Sequence, residues 1–166
     1  MAFRLRKALH AYRIADSRRP IFDGSGAALH GGRWNSPGRP VIYCAETYAG
    51  ALLEKLVHTN IGRVPRDQKY IEIVVPAETV IEEVLAQELP GWDGEDQVAS
   101  RKHGDAWYDS GRTVVLLAPS AVVPLERNVL IHPEHPDARK IRVSEAQPVI
   151  WDERLFYRRA HKRAGV

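Results

Sequence analysis

The chain has 166 residues, 44% of them hydrophobic and 27% charged, a composition that fits one globular domain and excludes a disordered, collagenous or coiled-coil chain. No apolar run approaches the roughly 20 residues that span a bilayer, the charged N-terminus lacks a signal-peptide core, and the lone cysteine, Cys44, excludes a disulfide framework. The formal net charge is +3, but residues 153–166 hold Arg154, Arg158, Arg159, Lys162 and Arg163 against one acid, leaving 19 basic and 20 acidic residues in the body. That surplus is a terminal tail, not the broad basic face of a nucleic-acid-binding domain. The expected arrangement is one domain over residues 1–152 followed by a basic tail, 153–166, in a reducing cytoplasm.

Ala11 to Ile14 reads as a short strand. Phe22 to Pro40 follows, with five glycines and two prolines among 19 residues, so no regular element is expected through it. Loops of this length in compact domains are usually functional or disordered. Val41 to Cys44 reads as an apolar strand. A helix is expected from about Thr47, whose hydroxyl can cap its first turn, to Thr59. Ala49, Leu52, Leu53, Leu56 and Val57 mark its apolar face at helical spacing. Glu54 lies on the other side, next to the small Gly50 and Ala51. Tyr70 to Val75 reads as a strand, Thr79 to Leu85 as a shorter one. Gln97 to Ser110 reads as a helix weakened by Gly104, and Thr113 to Ala118 as a buried strand. Short strands are expected around Val122, Val129, Ile141 and Val149. Strands and helices do not alternate, so the fold class is α+β, with mixed or antiparallel short-strand sheets and a few helices.

Several common chemistries are missing from the sequence. Neither G-x-G-x-x-G nor G-x-x-x-x-G-K-[ST] occurs. Ser25 stands in G-S-G rather than a nucleophile elbow. His132-x-x-His135 has two imidazoles, but Pro133 and Pro136 break helical spacing and favour a turn over a metal site. Cys44 in an apolar strand reads as a core residue. A scattered polar group remains: Arg33, Trp34 and Asn35 in the long loop, Tyr43 at a strand end, Glu54 on the helix and Ser120 after the buried strand. Singly, each has an ordinary role, as a surface ion pair, a core aromatic, an edge tyrosine, a solvated glutamate or a turn. Spacing alone does not assemble them.

Resemblance does. Gly31–Ser36 (GGRWNS), Val41–Glu46 (VIYCAE) and Ala51–Glu54 (ALLE) resemble the RES domain, a family named for an arginine, a glutamate and a serine. Those residues fall here at Arg33, Glu54 and Ser120. Tyr12-Arg13-Ile14, Gly104–Trp107, Pro119–Pro124, Glu126-Arg127-Asn128, His132-Pro133 and His135-Pro136 match in the same order, so the likeness runs from about Tyr12 to Trp151. The resemblance implies the toxin of a bacterial toxin–antitoxin pair, with an Xre-type helix-turn-helix antitoxin and a homodimer within the complex. It also implies a fold like that of ADP-ribosyltransferase toxins, and cleavage of the nicotinamide–ribose bond of NAD without a metal. NAD is then a consumed substrate, and ADP-ribose passes to a protein or to water.

The residues suit that chemistry. Departure of nicotinamide builds oxocarbenium-like charge on the ribose, which a fixed carboxylate such as Glu54 stabilises. Arg33 offers a planar fork to the diphosphate or ribose. Tyr43 and Trp34 offer aromatic faces to the cationic ring, and Ser120 and Asn35 offer hydrogen bonds. The expected catalytic residues are Glu54, Arg33 and Tyr43. The expected NAD-binding residues are Arg33, Trp34, Asn35, Tyr43 and Ser120, joined by Arg13 and Asn128 from the matching motifs. Two alternatives stay open: NAD hydrolysis alone, and a non-enzymatic module that holds an acidic partner through Trp34, Tyr43 and the tail.

Overall fold

The computed structural model of the chain describes residues 1–58 and 66–156. Its strands are β1 (Ala2–Arg4), β2 (Leu9–Asp16), β3 (Ile42–Ala45), β4 (Gln68–Val75), β5 (Val80–Glu83), β6 (Val115–Pro119), β7 (Arg127–Ile131), β8 (Arg142–Val143) and β9 (Gln147–Pro148). The helices are α1 (Ser25–His30), α2 (Tyr48–His58) and α3 (Val98–Ser110), with three short 3₁₀ turns between or after them. All nine strands join one sheet in the order β1-β5-β6-β7-β3-β2-β4-β8, with β9 also on β4. Every pairing is antiparallel except β5 with β6. The α+β class is therefore borne out.

Side-chain alternation buries both faces of the central strands. Ile42 and Cys44 of β3, Val115 and Leu117 of β6, and Val129 and Ile131 of β7 enter one core with Ile71, Ile73 and Val75 of β4. Leu116, Ala118 and Leu130 point the opposite way, into a second core with Trp34, Val41, Trp107 and Tyr108. Burial on two sides explains why the residues of β6 read as a continuous apolar run.

α3 covers the second core with Ser100, Gly104, Trp107 and Tyr108, spaced as one helical face. Gly104 is required there, because a Cβ would lie 1.8 Å from the carbonyl oxygen of Trp34. The helix and the loop it touches are also tied by Ser36, whose N–H and hydroxyl donate to Asp105 (2.8 and 2.6 Å). Arg39 donates to Asp109 at 2.6 and 2.8 Å. The helix stops at Gly111, whose φ of +57° is a left-handed conformation that glycine adopts without strain.

Three expectations need correction, and one strand, β1, left no signal in the sequence. The glycine-rich stretch contains α1, a short six-residue helix between Gly24 and Gly31. Val122 belongs to a bend rather than a strand, because Ser120 Oγ accepts from the N–H groups of Val122 and Val123 and turns the chain. β1 pairs with β5 over three exposed residues, too short to leave a pattern. The most consequential change concerns α2. Its buried residues are Gly50 and Ala51, while Leu53 and Val57 are 46% and 53% exposed. Small residues let the helix lie close over β2 and β3, and of the face predicted to be apolar Ala49, Leu53 and Val57 are exposed while Leu52 and Leu56 are half-buried. The predicted end of this helix, Thr59, and most of the basic tail lie outside the described residues.

Candidate active site

β2 pairs with β4 along eight residues, but meets β3 at only one register pair, Tyr12 with Ala45. β3 instead pairs along four residues with β7. The two central strands therefore diverge, and a cleft of about 830 Å³ opens beside them, a size that suits a small-molecule ligand. Arg13 stands at the divergence. Its guanidinium donates to the carbonyls of Tyr43 (2.7 Å), Ile21 (2.7 Å) and Asp23 (3.2 Å). It thus satisfies a β3 carbonyl where β2 has moved away.

Glu54 enters from α2. Thr47 starts that helix as expected, with its Oγ accepting from Gly50 N–H at 2.8 Å. The same hydroxyl donates to Glu126 at 2.8 Å, anchoring the helix to the β6–β7 turn. The Gly50–Ala51 face lies against the sheet, and Glu54 shares it three residues on. Its Oε1 accepts from Ser120 Oγ at 3.0 Å and from Asn128 Nδ2 at 3.2 Å. Both partners bind one oxygen. Oε2 has no hydrogen-bond donor among the described residues.

The loop of residues 31–36 forms the opposite wall. Gly31 adopts φ +72°, and at Gly32 a Cβ would lie 2.5 Å from the Tyr43 hydroxyl oxygen. That hydroxyl accepts from Trp34 N–H (3.0 Å) and donates to Asn35 Oδ1 (2.7 Å). Burial pushes the Tyr43 phenol well above its usual range, so it stays a neutral hydroxyl. Arg33 reaches across to the carbonyls of Trp92 and Gly94, both at 3.1 Å.

Arg13, Arg33, Trp34, Tyr43, Glu54 and Asn128 are thus brought to one cleft. Two residues stand behind it. Asn35 is fully buried, and its Nδ2 faces the carbonyls of Ala27, Ser36 and Arg39. Its amide holds the loop and has nothing left for a substrate. Ser120 is 2% exposed, and its hydroxyl is spent on Glu54 and the turn. It positions the glutamate. Trp34 is also wholly buried, stacked on Trp92 with ring centres 6.1 Å apart. It backs the wall rather than offering a ring face.

The sequence reading missed Arg101. It lies on α3 and lines the same cleft. Its only local signal is its place one turn before Gly104. The two histidines of the H-P-x-H-P stretch meet edge-on with ring centres 6.1 Å apart, and each is engaged elsewhere. His132 stacks on Tyr108 at 3.8 Å, and His135 Nδ1 accepts from Asp137 N–H. Among the described residues no three metal-ligating side chains cluster, and no helix is long and apolar enough to cross a membrane.

The splayed, mostly antiparallel sheet defines an α+β protein whose cleft is lined by one held glutamate and by Arg13, Arg33 and Arg101. The model of the RES domain family matches residues 10–152, and the chain belongs to that family. A Sphingobium sp. (strain YBL2) protein named "Prs ADP-ribosylating toxin" is 40% identical over 153 residues, covering 87% of this chain and 95% of its own. "Toxin Res" of Pseudomonas putida KT2440 is 36% identical over 137 residues, 80% of this chain and 91% of its own. A solved structure described as the M. tuberculosis MbcT–MbcA toxin–antitoxin complex contains the same fold. Its TM-score is 0.71 at 17% identity, over 87% of this chain and 85% of that one.

Proposed function

We propose that this chain is the toxin of a toxin–antitoxin pair, and that it cleaves the nicotinamide–ribose bond of NAD and transfers ADP-ribose to a protein. The observation that carries the reading is Glu54: one carboxylate oxygen is clamped by Ser120 and Asn128 and the other is left for ligand, in a cleft that is otherwise cationic. The bond from C1′ of the ribose to the nicotinamide nitrogen breaks, and the ring leaves with the electron pair. The positive charge of the pyridinium passes to the ribose as an oxocarbenium ion. Glu54, fixed in place before the reaction, stabilises that charge at no cost of reorganisation. Its free oxygen can also hold a ribose hydroxyl. A nucleophilic side chain of the acceptor then attacks C1′ and loses its proton. Tyr43 lines the nicotinamide end, and Arg33 and Arg13 set the positive field for the diphosphate.

The Sphingobium relative's name specifies a protein acceptor, Prs, which supports transfer rather than hydrolysis. The toxin–antitoxin title of the structural neighbour supports an antitoxin partner. We assign that partner to the Xre-type helix-turn-helix class, with a toxin homodimer in a cytoplasmic complex. No metal enters the proposed chemistry.

The test is mass spectrometry of NAD mixed with purified protein, with and without Prs from the same host. Nicotinamide release and a mass increase of one ADP-ribosyl group on Prs are expected. Glu54→Gln should lower kcat by about 10²–10³-fold, the scale for removing one preorganised electrostatic partner, while ADP-ribose still binds. Free ADP-ribose with unlabelled Prs would replace transfer by hydrolysis. Intact NAD with folded, antitoxin-free protein would refute the enzyme and favour a binding module.

A further inference from the structure

Among the described residues, Arg4, Arg18, Arg39, Arg112, Arg127 and Arg154 each face a carboxylate. The three cleft arginines do not: Arg13, Arg33 and Arg101 are held by backbone carbonyls and one side-chain amide. Glu54 is the one carboxylate among the described residues lining the cleft, and it faces Ser120 and Asn128. Neutral acceptors fix a guanidinium without cancelling its charge, so these three remain available to an anion.

Their remaining donors distinguish them. Arg13 spends Nε and both Nη groups on three carbonyls. Arg101 uses Nε on Gly32 O (3.2 Å) and Nη2 on Gln97 Oε1 (2.9 Å), leaving Nη1. Arg33 uses Nη1 alone, leaving Nε and Nη2. The two are also cross-tied. Arg101 holds the carbonyl of Gly32, the residue directly before Arg33. Arg33 in turn holds the segment of Trp92 and Gly94, just upstream of Gln97. Both guanidinium groups line the cleft, and the Arg101 bond to Gly32 keeps them beside one another.

We infer that Arg101 and Arg33 together form the subsite for the diphosphate of the dinucleotide, with Arg101 contacting substrate directly. This rests on the proposed NAD chemistry and adds a residue to it. Two pre-positioned forks with unused N–H groups match a group that carries two negative charges and spreads its acceptors over two phosphorus centres. Fixing them through neutral protein acceptors lowers the ordering cost on binding. The carbonyl of Gly32 gives Arg101 its aim and couples the subsite to the loop that carries Arg33.

The experiment is calorimetric titration of ADP-ribose, alongside NAD turnover, for wild type, Arg101→Ala, Arg101→Lys and Arg101→Gln. Thermal melts confirm folding, and Arg101→Gln keeps an amide donor for Gly32. Loss of a charge-assisted hydrogen bond predicts about a ten- to hundredfold weaker Kd for ADP-ribose in Arg101→Ala. KM for NAD should rise in step while kcat changes little, because the ribose chemistry sits at Glu54. Arg101→Lys should recover part of the affinity, and Arg101→Gln should not. A wild-type Kd in Arg101→Ala, or full rescue by Arg101→Gln, overturns the inference and leaves the NAD reading standing. A loss confined to kcat also overturns it, since that would mean Arg101 only shapes the loop. Wild-type protein that fails to bind ADP-ribose overturns both.

Discussion

Replacing Gly104 by alanine sets helix propensity against packing. In the middle of a helix, alanine is favoured over glycine by about 1 kcal/mol. At this position the new Cβ would lie 1.8 Å from Trp34 O and 2.7 Å from Trp34 C, about 1.6 Å short of the 3.4 Å at which ordinary contact begins. The obstacle is backbone, so no rotamer change relieves it. α3 must move away from the loop of residues 31–36, and the Ser36–Asp105 pair of bonds spans that gap. Overpacking costs about 1–3 kcal/mol, and each lost hydrogen bond about 1 kcal/mol. Against the propensity gain, the net loss is about 3 kcal/mol. For a chain of this size that lowers Tm by about 6–12 °C. Gly26→Ala is the matched control: it lies in α1, and its Cβ meets nothing within 4 Å. It should be neutral, or stabilising by up to about 1 kcal/mol. Scanning calorimetry of the three proteins is the assay. An Arg33-side cleft loosened by the same shift would also show as a higher KM for NAD. A Gly104→Ala protein that melts at or above wild type would refute the close-packing account.

Other outcomes follow from the same geometry. Ser120→Ala and Asn128→Ala each free one side of Glu54, so each should lower kcat more than it raises KM. The double variant should lose less than the product of the two, because both act on one oxygen. Burial pushes the Cys44 thiol up to about 12, so iodoacetamide should label it only in denaturant; labelling of the native protein at neutral pH would contradict the core placement. His132 is buried against Tyr108 and Trp107, with His135 and Glu134 nearby. Desolvation lowers its pKa below 6.5, so the unfolded chain binds the proton more readily, and stability falls as pH drops below about 6.5. His132→Phe keeps a stacked ring without a titrating one, and urea unfolding between about pH 7 and pH 5 should show a flatter dependence for that variant.

Much of the scaffold was readable along the chain, because its causes are local. The strands read at Val41–Cys44, Tyr70–Val75 and Thr113–Ala118 announce themselves by apolar, largely β-branched runs bounded by proline or glycine, whereas the reading of Ala11–Ile14 caught only the middle of β2. Thr47 marks a helix start, and its hydroxyl makes the capping bond. The motif order along the chain also pointed to Arg33, Tyr43 and Glu54 before any contact was known. Tertiary structure decided which of these groups line the cleft. Glu54 meets Ser120 and Asn128 from 66 and 74 residues away, and no spacing rule encodes such distances. Asn35 and Trp34 look as exposed in sequence as Arg33 does, yet the fold buries both and commits Asn35 to three carbonyls. α2 shows the limit most clearly. Its leucine pattern suggested one buried face, but the side set deepest against the sheet is the thin Gly50–Ala51 one, with Leu52 and Leu56 only half-buried. A helix buries the face that its neighbour can approach closely, and here that choice turned a glutamate into the cleft and left the aliphatic residues Leu53 and Val57 exposed.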